Sequence, residues 1–197
     1  MKLYGTTTSP FVRRVRVVAA EVGAPFELVN TAPAEGQAAL RAVSPIWKVP
    51  VAELGERIIY DSRVIIDWLT TFRGWGDLQP PRDKWRDANL LNAIDGALES
   101  GIHLFYLRRE GVDAMALPYG KHEVARMETV FTWLGGELGK DGFGDGLGLP
   151  EVSLLCCLDW LDFREVYPTA RHEDVFGKLR ATFRDRESLA ETRPVVS

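Results

Sequence analysis

The chain has 197 residues, long enough for two compact domains, and its 46 % hydrophobic and 26 % charged residues are globular proportions that argue against disorder. A net charge of −4 suggests no polyanion partner, and Arg13, Arg14 and Arg16 are too few and too local to change that, so nucleic acid is not expected as a partner. No apolar run approaches membrane-spanning length and the N-terminus lacks the apolar core of a signal peptide, so no membrane association is expected either.

The elements begin with a short strand at Lys2–Gly5 and a turn-like Thr6-Thr7-Thr8-Ser9-Pro10. A helix is predicted from Pro10, because Ser at the cap and Pro in the first helical position start a helix without wasting a donor. Val12, Val15, Ala19 and Val22 recur at helical spacing, with Arg13, Arg14 and Arg16 off that stripe, and Gly23 supplies the stop. Residues 25–29 read as the next strand and residues 35–43 as a short helix. Lys48–Ala52 and Arg57–Tyr60 read as two strands joined by Leu54-Gly55-Glu56. Asp61-Ser62 opens a second firm helix with the stripe Ile65, Ile66, Leu69 and Phe72, ending at Gly74. The resulting order, β-α-β-(α)-β-β-α, is thioredoxin-like.

Residues 75–82 carry Gly and two Pro and read as a linker between a domain at residues 1–74 and an all-helical domain at residues 83–197. Long helices are predicted over residues 84–110, with Leu91, Ile94, Leu98 and Phe105 on one face, and over residues 119–138. The Gly- and Asp-rich residues 141–148 read as a flexible helix connection. They lack the order of an EF-hand loop, so no calcium is expected. Residues 151–163 are apolar nearly all round and should form the buried central helix. Its cap is atypical, with Gly148 and Glu151 where a reciprocal pair of side chains would stand. Short helices should fill residues 173–186. Cys156 and Cys157 are the only cysteines; neighbours on a helix point about 100° apart, so a mutual disulfide is not expected, and neither is a thiolate zinc site. A reducing, cytoplasmic compartment fits. Of three histidines, His122 and His172 read as solvated, and His103 shares a helix face with Glu99 and Tyr106.

Three segments carry a family resemblance: Ser9-Pro10-Phe11-Val12-Arg13-Arg14-Val15-Arg16, Ser44-Pro45-Ile46-Trp47-Lys48-Val49-Pro50-Val51 and Tyr60-Asp61-Ser62-Arg63-Val64-Ile65. In order and spacing they resemble the N-terminal signatures of glutathione transferases, with a serine-type or omega-like first motif. Residues 95–110 and 158–164 resemble the helical domain of bacterial members. The resemblance implies a thioredoxin-like N-terminal domain followed by an all-helical C-terminal domain. It also implies a glutathione site: Val49 pairing its backbone with the cysteinyl part, a cis Pro50, Lys48 on the glycyl carboxylate, and Asp61 and Ser62 on the γ-glutamyl end. Elementary chemistry agrees on the last point, since a helix N-terminus favours a carboxylate and Asp61 can take the ammonium. A plain cap accounts for Ser62 equally well. Trp47 departs from the glycine of many relatives and could line the site, restrict it, or pack on the second domain.

The resemblance also makes Ser9 the candidate catalytic residue. A free thiol titrates at about 8.5, and a helix N-terminus lowers that. A hydroxyl donating to the sulfur stabilises the thiolate further. Each pKa unit is about 1.4 kcal/mol, so one helix end and one hydrogen bond can supply a unit or two. As a simple cap, Ser9 would spend the same oxygen on the helix, and Thr7 or Thr8 could serve the sulfur instead. Phe11, Ile102, His103 and Tyr106, with Trp47, are candidates for an apolar substrate wall. The expected activity is glutathione transfer: glutathione is bound as cosubstrate without a metal, and its thiol is activated for attack on a small hydrophobic electrophile. A non-catalytic glutathione-binding or scaffold protein of the same fold is the alternative. A glutathione-dependent reductase is a weaker one, because position 9 is not cysteine. A homodimer is the family's implied assembly.

Overall fold

The computed structural model describes residues 1–195. It begins with strand β1 (Lys2–Gly5), helix α1 (Pro10–Glu21), strand β2 (Glu27–Asn30) and helix α2 (Ala34–Val43). Strands β3 (Val51–Leu54) and β4 (Arg57–Tyr60) and helix α3 (Ser62–Arg73) follow. The sheet order is β2-β1-β3-β4; β1 pairs parallel with β2 and antiparallel with β3, and β3 pairs antiparallel with β4. This is the thioredoxin-like arrangement. Leu3, Val12, Val15, Ala19, Leu40, Val51, Ile65 and Leu69 are buried between helices and sheet. Gly5 lies where α1 passes over the end of β1: a Cβ there would come within 2.4 Å of Val12 Cγ2. Only glycine fits.

Three features of this unit differ from the sequence expectation. Lys48, Val49 and Pro50 precede β3 rather than belonging to it. Phe72 leaves the α3 core stripe; it is exposed and its ring lies tilted against Trp68, 4.9 Å between ring centroids. Arg13 and Arg14, off the apolar stripe by periodicity, are 2 % and 3 % exposed. Long side chains can bury a cation where polar partners wait for it, and periodicity does not see partners distant in sequence.

The chain divides into two units, residues 1–78 joined by the segment from Asp185, and residues 79–184. The second unit contains α4 (Lys84–Arg109), a 3₁₀ turn (Ala114–Ala116), α5 (Pro118–Glu137), α6 (Leu149–Arg164), a 3₁₀ turn (Thr169–His172) and α7 (Glu173–Phe183). Helix α4 packs on both α5 and α6. As its composition predicts, α6 is the buried centre, with Val152, Leu154, Cys157, Leu158 and Leu161 fully enclosed. Both cysteines are buried, and neither is in a disulfide among the described residues.

The loop ahead of α6 is not a loose connection. Glu151 Oε1 accepts the N–H of Phe143 at 2.6 Å and of Gly144 at 3.1 Å, and its Oε2 accepts the N–H of Gly148 at 2.9 Å. Glycine has no side chain to return the bond, so half of a capping box is present and two loop amides take the place of the other half. Burial pushes the Glu151 carboxyl above its ordinary range, although the three backbone donors pull against it. His172 also differs from expectation. It is 9 % exposed, stacks on Tyr167 and shares a 2.8 Å hydrogen bond between its Nε2 and the Tyr167 hydroxyl.

Helix α8 (Glu187–Ala190) belongs to the first unit. Arg13 Nη2 donates to the Leu189 carbonyl at 3.1 Å, and Arg186 donates to both carboxylate oxygens of Glu21, at 2.8 and 2.6 Å. Burial pushes the Glu21 carboxyl up, but Arg186 and Ser188 together hold it below its ordinary range.

Candidate functional site

The register of the sheet decides which loops meet. Tyr4 lies opposite Val51, and Val51 opposite Tyr60. Beyond that row β1 leaves through Gly5 into residues 6–9, β3 is entered from Pro50, and β4 leaves into Asp61 and Ser62. The three segments singled out in the sequence therefore converge at one end of the sheet.

Ser9 is the N-cap of α1, with φ −80° and ψ 125°, and its Oγ accepts the N–H of Val12 at 3.3 Å. The cap occupies a lone pair and leaves the hydroxyl proton, which no described residue accepts. Capping and donation to a sulfur are thus compatible in one oxygen, where sequence alone sets them in competition. The neighbouring threonines have partners of their own, and only Thr7 has its proton spent on a fixed acceptor. Thr7 Oγ1 donates to the Val195 carbonyl at 2.9 Å, and the Thr6 and Thr8 hydroxyls share a 3.3 Å hydrogen bond.

The Val49–Pro50 peptide bond is cis. Val49 is half-buried, and no described residue hydrogen-bonds its backbone N–H or C=O. Beside it Lys48 is exposed. Trp47 is 60 % exposed and has φ +52°, a left-handed conformation uncommon for a bulky residue. The Arg41 guanidinium sits 4.9 Å from the centroid of its indole.

Asp61 caps α3 through Oδ1, which accepts the Arg63 N–H at 2.8 Å. Ser62 is 2 % exposed, and its Oγ receives two donors from Arg14: Nε at 3.0 Å and Nη2 at 2.7 Å. Arg14 is the residue that sequence reasoning missed here. The only signal was its place in an arginine-rich turn, and nothing in the sequence says which of three arginines turns toward Ser62. Phe11 lies half-buried next to it, with the Arg14 guanidinium carbon 5.0 Å from its ring centroid.

Ile102, His103 and Tyr106 stand on α4 in the second unit, whereas Phe11 and Trp47 stand on the first. His103 Nδ1 is 2.8 Å from the Tyr119 hydroxyl and 3.5 Å from Glu123 Oε2, so it ties α4 to α5. Glu123 is 1 % exposed; burial pushes its carboxyl up, but Ser100, Arg126 and His103 hold it below its ordinary range. Tyr106 is exposed, with the Arg109 guanidinium over its ring at 4.6 Å. No group of His, Cys, Asp and Glu among the described residues could hold a metal ion.

Residues 3–73 match the family model described as the glutathione S-transferase N-terminal domain. Over 98 % of both chains, the protein is 29 % identical to the uncharacterized GST-like protein YibF of Escherichia coli K12. A solved glutathione S-transferase from Methylobacterium radiotolerans, in complex with glutathione sulfonate, is 25 % identical with a TM-score of 0.83, covering 100 % of this chain and 95 % of that one. A glutathione transferase family member from Pseudomonas fluorescens with bound glutathione is 26 % identical with a TM-score of 0.77, covering 99 % of each chain. Residues 3–73 thus match a glutathione S-transferase N-terminal domain, and the chain as a whole has the glutathione S-transferase fold, a thioredoxin-like sheet followed by an all-helical domain.

Proposed function

We propose that this protein binds glutathione at the converging end of the sheet and activates its thiol for attack on a small hydrophobic electrophile. The observation that carries the reading is the register Tyr4–Val51–Tyr60, from one end of which lead the loops bearing Ser9, the cis Val49–Pro50 bond and the Asp61–Ser62 helix start. In this reading Val49 pairs its backbone with the cysteinyl unit, and Lys48, beside Trp47, meets the glycyl carboxylate. Asp61 and Ser62 receive the γ-glutamyl ammonium and carboxylate. The Ser9 proton donates to the sulfur. The α1 N-terminus beneath it favours the thiolate, and the protein contributes position and desolvation to the attack.

Two solved relatives hold glutathione or its sulfonate, which supports the ligand class. Serine at position 9 cannot form a mixed disulfide, which counts against a reductase. The reading also takes the chain to be a serine-type bacterial enzyme working in the cytoplasm as a homodimer. In the first unit Tyr60, Val64 and Phe72 are 40 %, 51 % and 64 % exposed on β4 and α3, the kind of apolar face a second copy would cover.

A non-catalytic glutathione binder is the second reading, favoured by the ordinary cap that Ser9 already makes to Val12. Affinity for immobilised glutathione and conjugation of a diverse electrophile panel separate the two. The enzyme reading expects retention and turnover, with turnover falling at least about tenfold in Ser9→Ala while binding persists. Retention without conjugation would favour the binder. Absence of binding would defeat both.

A further inference from the structure

We propose that Arg14 is a positioning residue that makes Ser62 a one-way hydrogen-bond donor, and so a reader of the γ-glutamyl α-carboxylate. The inference rests on the glutathione reading above and deepens it. A serine hydroxyl has one proton to give and two lone pairs to offer. Arg14 directs two N–H groups at Ser62 Oγ, at 3.0 and 2.7 Å, and these fill its acceptor side. The guanidinium charge also turns the O–H dipole so that the proton points away from it. What remains is a donor. A carboxylate oxygen can accept that proton, and an ammonium cannot.

Burial sharpens the effect. Arg14 is 3 % and Ser62 2 % exposed, so their hydrogen bonds work in a low local dielectric. Asp61, the acidic neighbour at the cap, has the opposite sign and suits the ammonium. The α-amino acid end is thereby read in polarity as well as in shape, with the carboxylate assigned to Ser62 and the ammonium to Asp61. A simple N-cap serine would accept as readily as donate and would impose no such order. Arg14 reaches this position from the α1 turn that follows Ser9, so the residue that would bind the sulfur and the one that would orient the far end of the tripeptide belong to the same short helix.

Calorimetric titration with three ligands tests this: glutathione, 4-aminobutyryl-Cys-Gly, which lacks the α-carboxylate, and glutaryl-Cys-Gly, which lacks the ammonium. Arg14→Gln and Ser62→Ala should each weaken glutathione and glutaryl-Cys-Gly by about ten- to a hundredfold, the loss of a charge-assisted bond. Both should leave 4-aminobutyryl-Cys-Gly unchanged. The double variant should be no weaker than Ser62→Ala, because Arg14 acts through that hydroxyl, and Arg14→Lys should recover part of the loss. Equal losses for all three ligands, additive effects in the double variant, or no loss at all would overturn the proposal. If Arg14→Gln does not fold, the ligand pattern of Ser62→Ala and of Arg14→Lys decides it. A wild-type protein that binds none of the three ligands defeats the glutathione reading itself, an outcome distinct from wild-type binding with unselective variants.

Discussion

Trp47 holds a backbone conformation that glycine would adopt freely. At φ +52° a side chain meets the following carbonyl, at a cost of about 1–2 kcal/mol. Part of that is returned by the stacked Arg41 guanidinium, worth about 0.5–1 kcal/mol at an exposed site. Trp47→Ala keeps the strain and loses the stacking. Trp47→Gly loses both. The glycine variant should therefore be more stable than the alanine variant by about 1 kcal/mol, the reverse of the usual order, and chemical denaturation would measure it. Equal stabilities would mean that the turn tolerates a side chain without strain. Ser9, Lys48, Val49, Asp61 and Ser62 were legible as site candidates because their segments resemble a family pattern. Arg14 was not, because a helical-periodicity reading counts arginine as an outward residue and its partner Ser62 lies 48 positions away. His172 was missed for the same reason in reverse: a lone histidine between helices looks solvated until Tyr167 and Phe131 close around it.

Two buried glutamates at element boundaries titrate in opposite directions, and their partners explain the signs. Glu21, at the end of α1, faces the Arg186 guanidinium and the Ser188 hydroxyl, so its carboxyl lies below its ordinary range. A depressed folded value gives stability that is present at neutral pH and lost as pH falls through that value. Glu21→Gln should lower stability at neutral pH and flatten the acid limb of a pH–stability curve; an unchanged acid limb would contradict it. Glu151, at the start of α6, accepts from the backbone N–H groups of Phe143, Gly144 and Gly148, and burial wins. Its raised folded value means the native state holds the proton more tightly than the unfolded chain, so its contribution declines as pH rises above the ordinary carboxylate range. Relative to Glu151→Gln, the wild-type protein should lose stability with rising pH across that window. Removing the acceptor altogether, in Glu151→Ala, leaves three amides at 2.6–3.1 Å without their partner and should cost about 2–4 kcal/mol by thermal denaturation. The loop before α6 looked loose in sequence because glycine and aspartate are common in loops; a glutamate reaching back from the following helix changes that.

At the scale of the whole molecule, the order of elements was readable almost throughout, since caps and stops at Ser9, Gly23, Asp61 and Gly74 bound the helices chemically. The return of the segment from Asp185 to the first unit was not, because it depends on Arg13 and Glu21 meeting residues 186–192, contacts no local pattern encodes. The exposed face of Tyr60, Val64 and Phe72 bears on assembly. If a second copy covers it, Val64→Asp should yield a monomer in sedimentation equilibrium with the fold retained; a wild-type protein that is itself monomeric would remove the dimer from the account. The most direct test of the central claim is the pH titration of bound glutathione's thiol, followed by thiolate absorbance, in the wild-type protein and in Ser9→Ala. The account predicts thiolate near neutral pH in the wild type and a midpoint about one unit or more higher without the hydroxyl. Identical midpoints in two proteins that both bind glutathione would contradict it.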